Sequence, residues 1–148
     1  MNDIVIQQQF QYLIERNIIY RYQNSDSTSY QLLHFYSNGF LKEKLSKMIL
    51  NDFKNCSPHS MTQIRTLIFS IKYELSDLLK INSNIFEVMI TECLLMKGKA
   101  NQFGEMIIQI MFKKGIEKYI SIVNEKKEKW EREGKINDYT KKHIEIPN

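Results

Sequence analysis

The sequence predicts a mainly α-helical fold, a single bundle of about five helices. Three observations carry that expectation. Only five glycines and two prolines interrupt 148 residues, so long regular elements are favoured over the many tight turns of a β-sandwich. Apolar residues recur at intervals of three and four through four long segments, which is the spacing of one helix face. Hydrophobic residues make up 43% and charged residues 26%. That balance suits a chain with one real core and argues against wholesale disorder.

The first segment, Asp3 to about Asn17, reads as an amphipathic helix. Asp3 is placed to cap it, and Val5, Phe10, Leu13, Ile14 and Ile18 fall near helical spacing. Residues 18–36 have two readings. Ile18-Ile19-Tyr20-Arg21-Tyr22 and Tyr30-Gln31-Leu32-Leu33-His34-Phe35-Tyr36 are both β-prone, and Asn24-Ser25-Asp26-Ser27 between them is a turn signal. They form either a short β-hairpin or two helix ends around a loop. Asn38-Gly39 punctuates the chain. From Phe40 to Phe53 a helix buries Phe40, Leu41, Leu45, Met48, Ile49 and Phe53 and turns Lys42, Glu43, Lys44, Lys47 and Asp52 to water.

Residues 55–60 read as a loop, with Ser60 a candidate N-cap. Met61 to Ile81 carries one wide apolar stripe of Ile64, Leu67, Ile68, Ile71, Leu75, Leu78 and Leu79. Asn82-Ser83-Asn84 ends it and caps the next helix. Ile85 to Met96 is apolar nearly all round, apart from Glu87, Thr91 and Glu92, as expected of a helix in the middle of a bundle. A central pair this apolar leaves surplus surface for a dimer or another partner. After a loop at 97–101, the last helix runs from about Gln102 to Glu133, with Gly134 as terminator. Its second half, from Asn124, is almost wholly charged apart from Trp130. The expected organisation is one helical domain, 1–134, and a C-terminal tail, 135–148.

Signatures of chemistry are sparse. The three histidines, His34, His59 and His143, are scattered, and no Gly-x-Ser-x-Gly elbow occurs. Cys56-Ser57-Pro58-His59 has the spacing of half a zinc site, but a structural zinc needs four ligands, usually from two such pairs. Cys93 lies in an apolar helix, where it is expected to pack as a small hydrophobe. No glycine-rich phosphate loop is present. No catalytic set, metal site or cofactor is therefore expected. The two cysteines are not a disulfide framework, residues 1–10 lack a secretory signal, and apolar runs stop well short of about 18 residues. An intracellular protein without a membrane span is the expectation.

Nucleic acid is the class that the charge invites, since the net charge is +4 and the pI about 9.0. Leu75 to Met96 resembles a helix–turn–helix in rhythm. Its second helix, however, opens Ile85-Phe86-Glu87-Val88-Met89-Ile90, whereas a recognition helix offers polar and basic side chains there. Gln7–Asn17 followed by residues 18–36 resembles the last helix and wing of a winged-helix module. The two helices that should precede them are missing, and no residue carries over. Most of the positive excess is C-terminal: residues 1–112 balance to +1 and residues 113–148 to +3. Lys97, Lys99, Lys113, Lys114, Lys126 and Lys127 are the candidate phosphate contacts. Glu117, Glu125, Glu128, Glu131 and Glu133, interleaved with the C-terminal basic residues, fit a solvated helix better than a continuous basic stripe.

Trp130 is the only tryptophan and sits among charges. With Tyr139, Ile144 and Ile146 of the tail, it is the candidate partner-binding element. The expected function is a non-catalytic interaction protein, a small accessory subunit on a larger complex or a homodimer. Its mild basicity suits a nucleic-acid-handling setting. The alternative is a DNA- or RNA-binding regulator acting through its basic C-terminal third.

Overall fold

A computed structural model of the chain describes residues 3–15 and 28–134. They form five helices: α1 (Asp3–Glu15), α2 (Thr28–Asp52), α3 (Pro58–Leu79), α4 (Ser83–Leu95) and α5 (Lys99–Arg132). The described residues contain no strand. The mainly helical bundle expected from periodicity is what forms.

The β-hairpin reading of residues 18–36 is corrected. Its second run, Tyr30–Tyr36, is helical and belongs to α2, while residues 18–22 lie outside the described residues. The wing of the winged-helix resemblance goes with it. Asn38-Gly39 does not punctuate either, because α2 runs straight through it. The reason is tertiary. Tyr30, Ser37, Leu41, Leu45 and Ile49 are buried at helical spacing along 20 residues of α2. Burial on that scale outweighs strand propensity and the cost of about 1 kcal/mol for one helical glycine.

Helix ends are set by local chemistry. Helix α3 starts one turn earlier than Ser60 suggested, because Ser57 is its cap: the Ser57 hydroxyl accepts from the Ser60 N–H at 3.2 Å, and Pro58 opens the helix. The chain leaves α3 through Lys80 in the left-handed conformation, with the Ile81 N–H donating to the Ser76 carbonyl at 3.0 Å. The Asn82 side chain then caps α4, accepting from the Asn84 N–H at 2.8 Å. Gly98, at φ 77°, turns the chain into α5. That helix begins at Lys99, so residues 99–101, expected in a loop, form its first turn.

The buried side chains make one cluster. Helices α3 and α5 are its axis and run antiparallel. His59, at the start of α3, and Lys126, late in α5, line the same cavity, and Ile68 meets Gly115 further along. Helix α4 packs on α5 and α2, and α2 packs on α3 and α4. Helix α1 lies over the far end of the α3–α5 pair. Its Phe10 ring is 6.3 Å from that of Phe103, and Gln7 donates to the Leu78 carbonyl at 3.0 Å.

Two glycines in α5 set how closely the helices approach. A Cβ at Gly115 would stand 2.4 Å from Ile68 Cα and 2.7 Å from Ile68 N, so the two backbones touch there. A Cβ at Gly104 would be 3.1 Å from Cys93 Cβ and from Leu94. Among the described residues no helix is long and apolar enough to cross a membrane.

Candidate functional site: a tethered helix with an apolar outer face

The first half of α2 differs from the rest of the bundle. It faces a buried polar cluster inward and an apolar surface outward.

Glu87 is wholly buried in the middle of α4. An isolated carboxylate there would be very costly, and three side chains answer it. The Lys72 ammonium of α3 reaches Oε1 at 2.7 Å, and the Asn38 amide of α2 donates to the same oxygen at 3.4 Å. His34 Nε2 of α2 faces Oε2. Lys72 is itself almost buried, with its ammonium 4.2 Å above the Phe69 ring and 5.0 Å from that of Tyr73. The Thr91 hydroxyl donates to the Glu87 carbonyl at 2.9 Å.

Tyr30 stacks on His34, with ring centroids 6.2 Å apart and planes within 5°. Burial pushes the Tyr30 phenol up to about 12, with the Glu87 charge as the second cause. Both carboxylate oxygens of Glu87 have partners, and those partners come from α2 and α3. The cluster therefore ties α2, α3 and α4 together at one point.

With His34 and Ser37 turned inward, Leu32, Phe35 and Tyr36 fall on the opposite side of the helix. Phe35 is 83% exposed, Leu32 67% and Tyr36 52%, with Leu33 at the edge at 40%. Tyr36 stacks on Phe40 at 5.9 Å, which extends the aromatic surface by one turn. From Thr28 to Leu41 the helix carries no acidic or basic residue except His34. An apolar, uncharged helix face is the usual composition of a protein contact.

Neither Glu87 nor this face was singled out in the sequence. The cluster did leave a signal: Lys72 falls on the Ile68/Leu75/Leu79 stripe, and a carboxylate in the most apolar helix demands a partner.

The candidate residues chosen from sequence are dispersed. Lys97 lies in the loop before α5, Lys99 opens the helix, Lys113 and Lys114 lie midway, and Lys126 and Lys127 near its end. Lys99 and Lys127 are about 40 Å apart along the axis at 1.5 Å per residue. The structure thus brings these six lysines together only in pairs. Lys118 pairs with Glu74 of α3. Trp130 is half-buried in a stretch of α5 whose residues 124–129 are all exposed. Because α5 is antiparallel to α3 and Lys126 lies level with His59, Trp130 sits past the start of α3. Tyr139, Ile144, Ile146 and His143 lie outside the described residues.

Cys93 is fully buried against Gly104, and burial, with Glu92 as the second cause, pushes its thiol up to about 12. Cys56 is half-buried in the loop before α3. Among the described residues no group of three His, Cys, Asp or Glu side chains is placed to hold a metal.

Cavities among the described residues lie elsewhere. One of about 630 Å³ separates α1 from the start of α5, one of about 320 Å³ lies between α3 and the later part of α5, and one of about 190 Å³ lies between α2 and α3. No protein-family model, no curated protein and no solved structure matches the chain, so the reading of its function rests on this geometry.

Proposed function

We propose that the chain is a non-catalytic interaction protein, a small accessory subunit that docks on a larger protein through the outer face of α2. The observation that carries this reading is the exposure of Leu32, Phe35 and Tyr36 on a helical segment whose inner side is anchored by Glu87. A rigid backbone beneath apolar and aromatic anchors lowers the entropy lost on binding. The lack of charge between Thr28 and Leu41 favours an apolar protein surface over a phosphate backbone. Trp130 and the tail remain a second proposed contact with the same partner. Direct nucleic-acid binding through α5 is the weaker reading, since its lysines are spread along the helix and interleaved with acids.

The test compares wild type with a Leu32→Ser/Phe35→Ser/Tyr36→Ser variant, each tagged and purified quantitatively from the native source. A partner held in fixed ratio by wild type and lost by the variant, with helicity unchanged, is the expected result. Identical co-purifying proteins for both would overturn the proposal. A dimer in light scattering that the triple variant turns into a monomer would assign the face to a second copy instead. Steeply salt-dependent retention of both proteins on DNA or RNA, with no protein partner, would move the function to nucleic acid.

A further inference from the structure

The cavity between α1 and the start of α5 is the largest in the bundle among those described, at about 630 Å³. That falls in the range of small-molecule sites. Its floor is Leu13, Phe103 and Met106, of which Leu13 and Phe103 are nearly fully buried. Gln8, Gln9 and Gln102 offer side-chain amides, Tyr12 a hydroxyl and Lys99 an ammonium, and among the described residues no acidic residue lines the cavity.

The Lys99 ammonium is 3.5 Å from the Tyr12 hydroxyl and 4.9 Å from the centre of its ring. Among the described residues it has no carboxylate partner. It is thus a cation already positioned at the rim, held by an aromatic face and not by an opposing charge.

We propose that this cavity binds a small amphipathic carboxylate, with its apolar body against Tyr12 and Met106, above the buried Leu13 and Phe103, and its single anionic head at Lys99. The apolar floor calls for a hydrocarbon or aromatic body. One cation with neutral amide donors suits one negative charge, because a doubly charged phosphate would leave a charge unanswered beside an apolar wall. The glutamine amides complete the head group's hydrogen bonds. This site is separate from the α2 face and stands or falls independently of it.

The probe is decanoate, with decanol as its uncharged counterpart, titrated into the isotope-labelled full chain and followed by backbone amide NMR shifts. Saturable shifts at Tyr12, Leu13, Lys99 and Phe103 are expected, with decanoate bound more tightly than decanol. Lys99→Gln should weaken decanoate about tenfold, as the loss of one charged hydrogen bond does, and leave decanol unchanged. Gln102→Glu, an exposed position, should weaken decanoate similarly through repulsion. Circular dichroism of both variants should match wild type. Shifts that do not saturate or lie elsewhere, equal binding of decanol, or indifference of decanoate to Lys99→Gln in a folded variant would each overturn the proposal.

Discussion

The α3–α5 seam and the first half of α2 are both helical, yet different forces hold them. Along the seam, Ile64, Ile68, Ile71, Phe103, Ile107 and Met111 are buried apolar groups, and at Gly115 the two backbones come into contact. Shape specifies that interface, and it has no side that could be lent to a partner. The start of α2 is held by a handful of polar contacts to one buried carboxylate, while three large apolar side chains point outward. A segment tethered from beneath by charge can keep its apolar residues free. A segment tethered by its apolar residues has none to spare.

A single methyl group should break the seam. Alanine is the better helix former by about 1 kcal/mol, so Gly115→Ala would stabilise a loosely packed α5. With a Cβ 2.4 Å from Ile68 Cα, the helices must instead separate. We expect a loss of about 3 kcal/mol, read as a fall in thermal midpoint of roughly 10 °C for a chain of this size. The sign of the change decides the matter.

Next comes the tether. Lys72→Met leaves the Glu87 carboxylate buried with only His34 and Asn38, and should cost about 3 kcal/mol in chemical denaturation. The paired change Lys72→Met/Glu87→Leu removes both charges and should recover most of that loss, since an apolar pair replaces a buried ion pair at little cost. A double variant as unstable as the sum of the single variants would mean that the two side chains do not act as a pair.

How legible each region was in the sequence follows the same division. Helices α3, α4 and α5 bury one stripe or nearly all of their surface, so their apolar residues repeat at three and four and announce the helix. The start of α2 has apolar residues on both sides: Tyr30 and Leu41 inward, Leu32, Phe35 and Tyr36 outward. Filling both faces erases the helical period and leaves a run of β-prone residues, which is why a hairpin competed there. The residues that hid the element are those that now form its candidate surface. The charged end of α5 drew attention because Trp130 stood alone, whereas Glu87 passed as one exception in an apolar helix. A buried carboxylate becomes conspicuous only when Lys72 and His34, from other helices, are seen around it.

Alkali tests the seam between α4 and α5 by a different route. The Cys93 thiol is raised from an ordinary value of 9.0 to about 12, so the folded state holds its proton more tightly than the unfolded chain. Its stabilising contribution is complete below pH 9 and is lost as pH rises from about 9 to about 12, at about 1.4 kcal/mol per pH unit. Tyr30 adds a loss of the same sign from about pH 10 to about 12. Helicity followed against pH should show alkaline unfolding in that window, and Cys93→Ala should move its onset upward. An onset indifferent to Cys93→Ala would mean that the Cys93 thiol is not what opens the fold in alkali.

A second glycine separates the two regions by sign. Gly39 lies mid-helix in α2, is exposed, and has nothing within 4 Å of where a Cβ would be. Gly39→Ala should therefore stabilise by about 0.5–1 kcal/mol, opposite to Gly115→Ala. A destabilised Gly39→Ala would mean that the α2 backbone there is held more tightly than its open surroundings indicate.

The smallest expected effect sharpens the comparison most. Phe35 is 83% exposed, so replacing it removes little buried surface. Phe35→Ser should leave the denaturation midpoint within about 0.5 kcal/mol of wild type, whereas a large apolar residue removed from a core costs about 3–5 kcal/mol. The same substitution should cost binding heavily if Phe35 anchors a partner. Stability and binding would then part company at one residue, as they cannot at Ile68 or Met111, where fold and surface are not separable. A loss of more than about 1.5 kcal/mol in the isolated chain would show that Phe35 is packed within the fold, and the outer face of α2 would no longer be available to a partner.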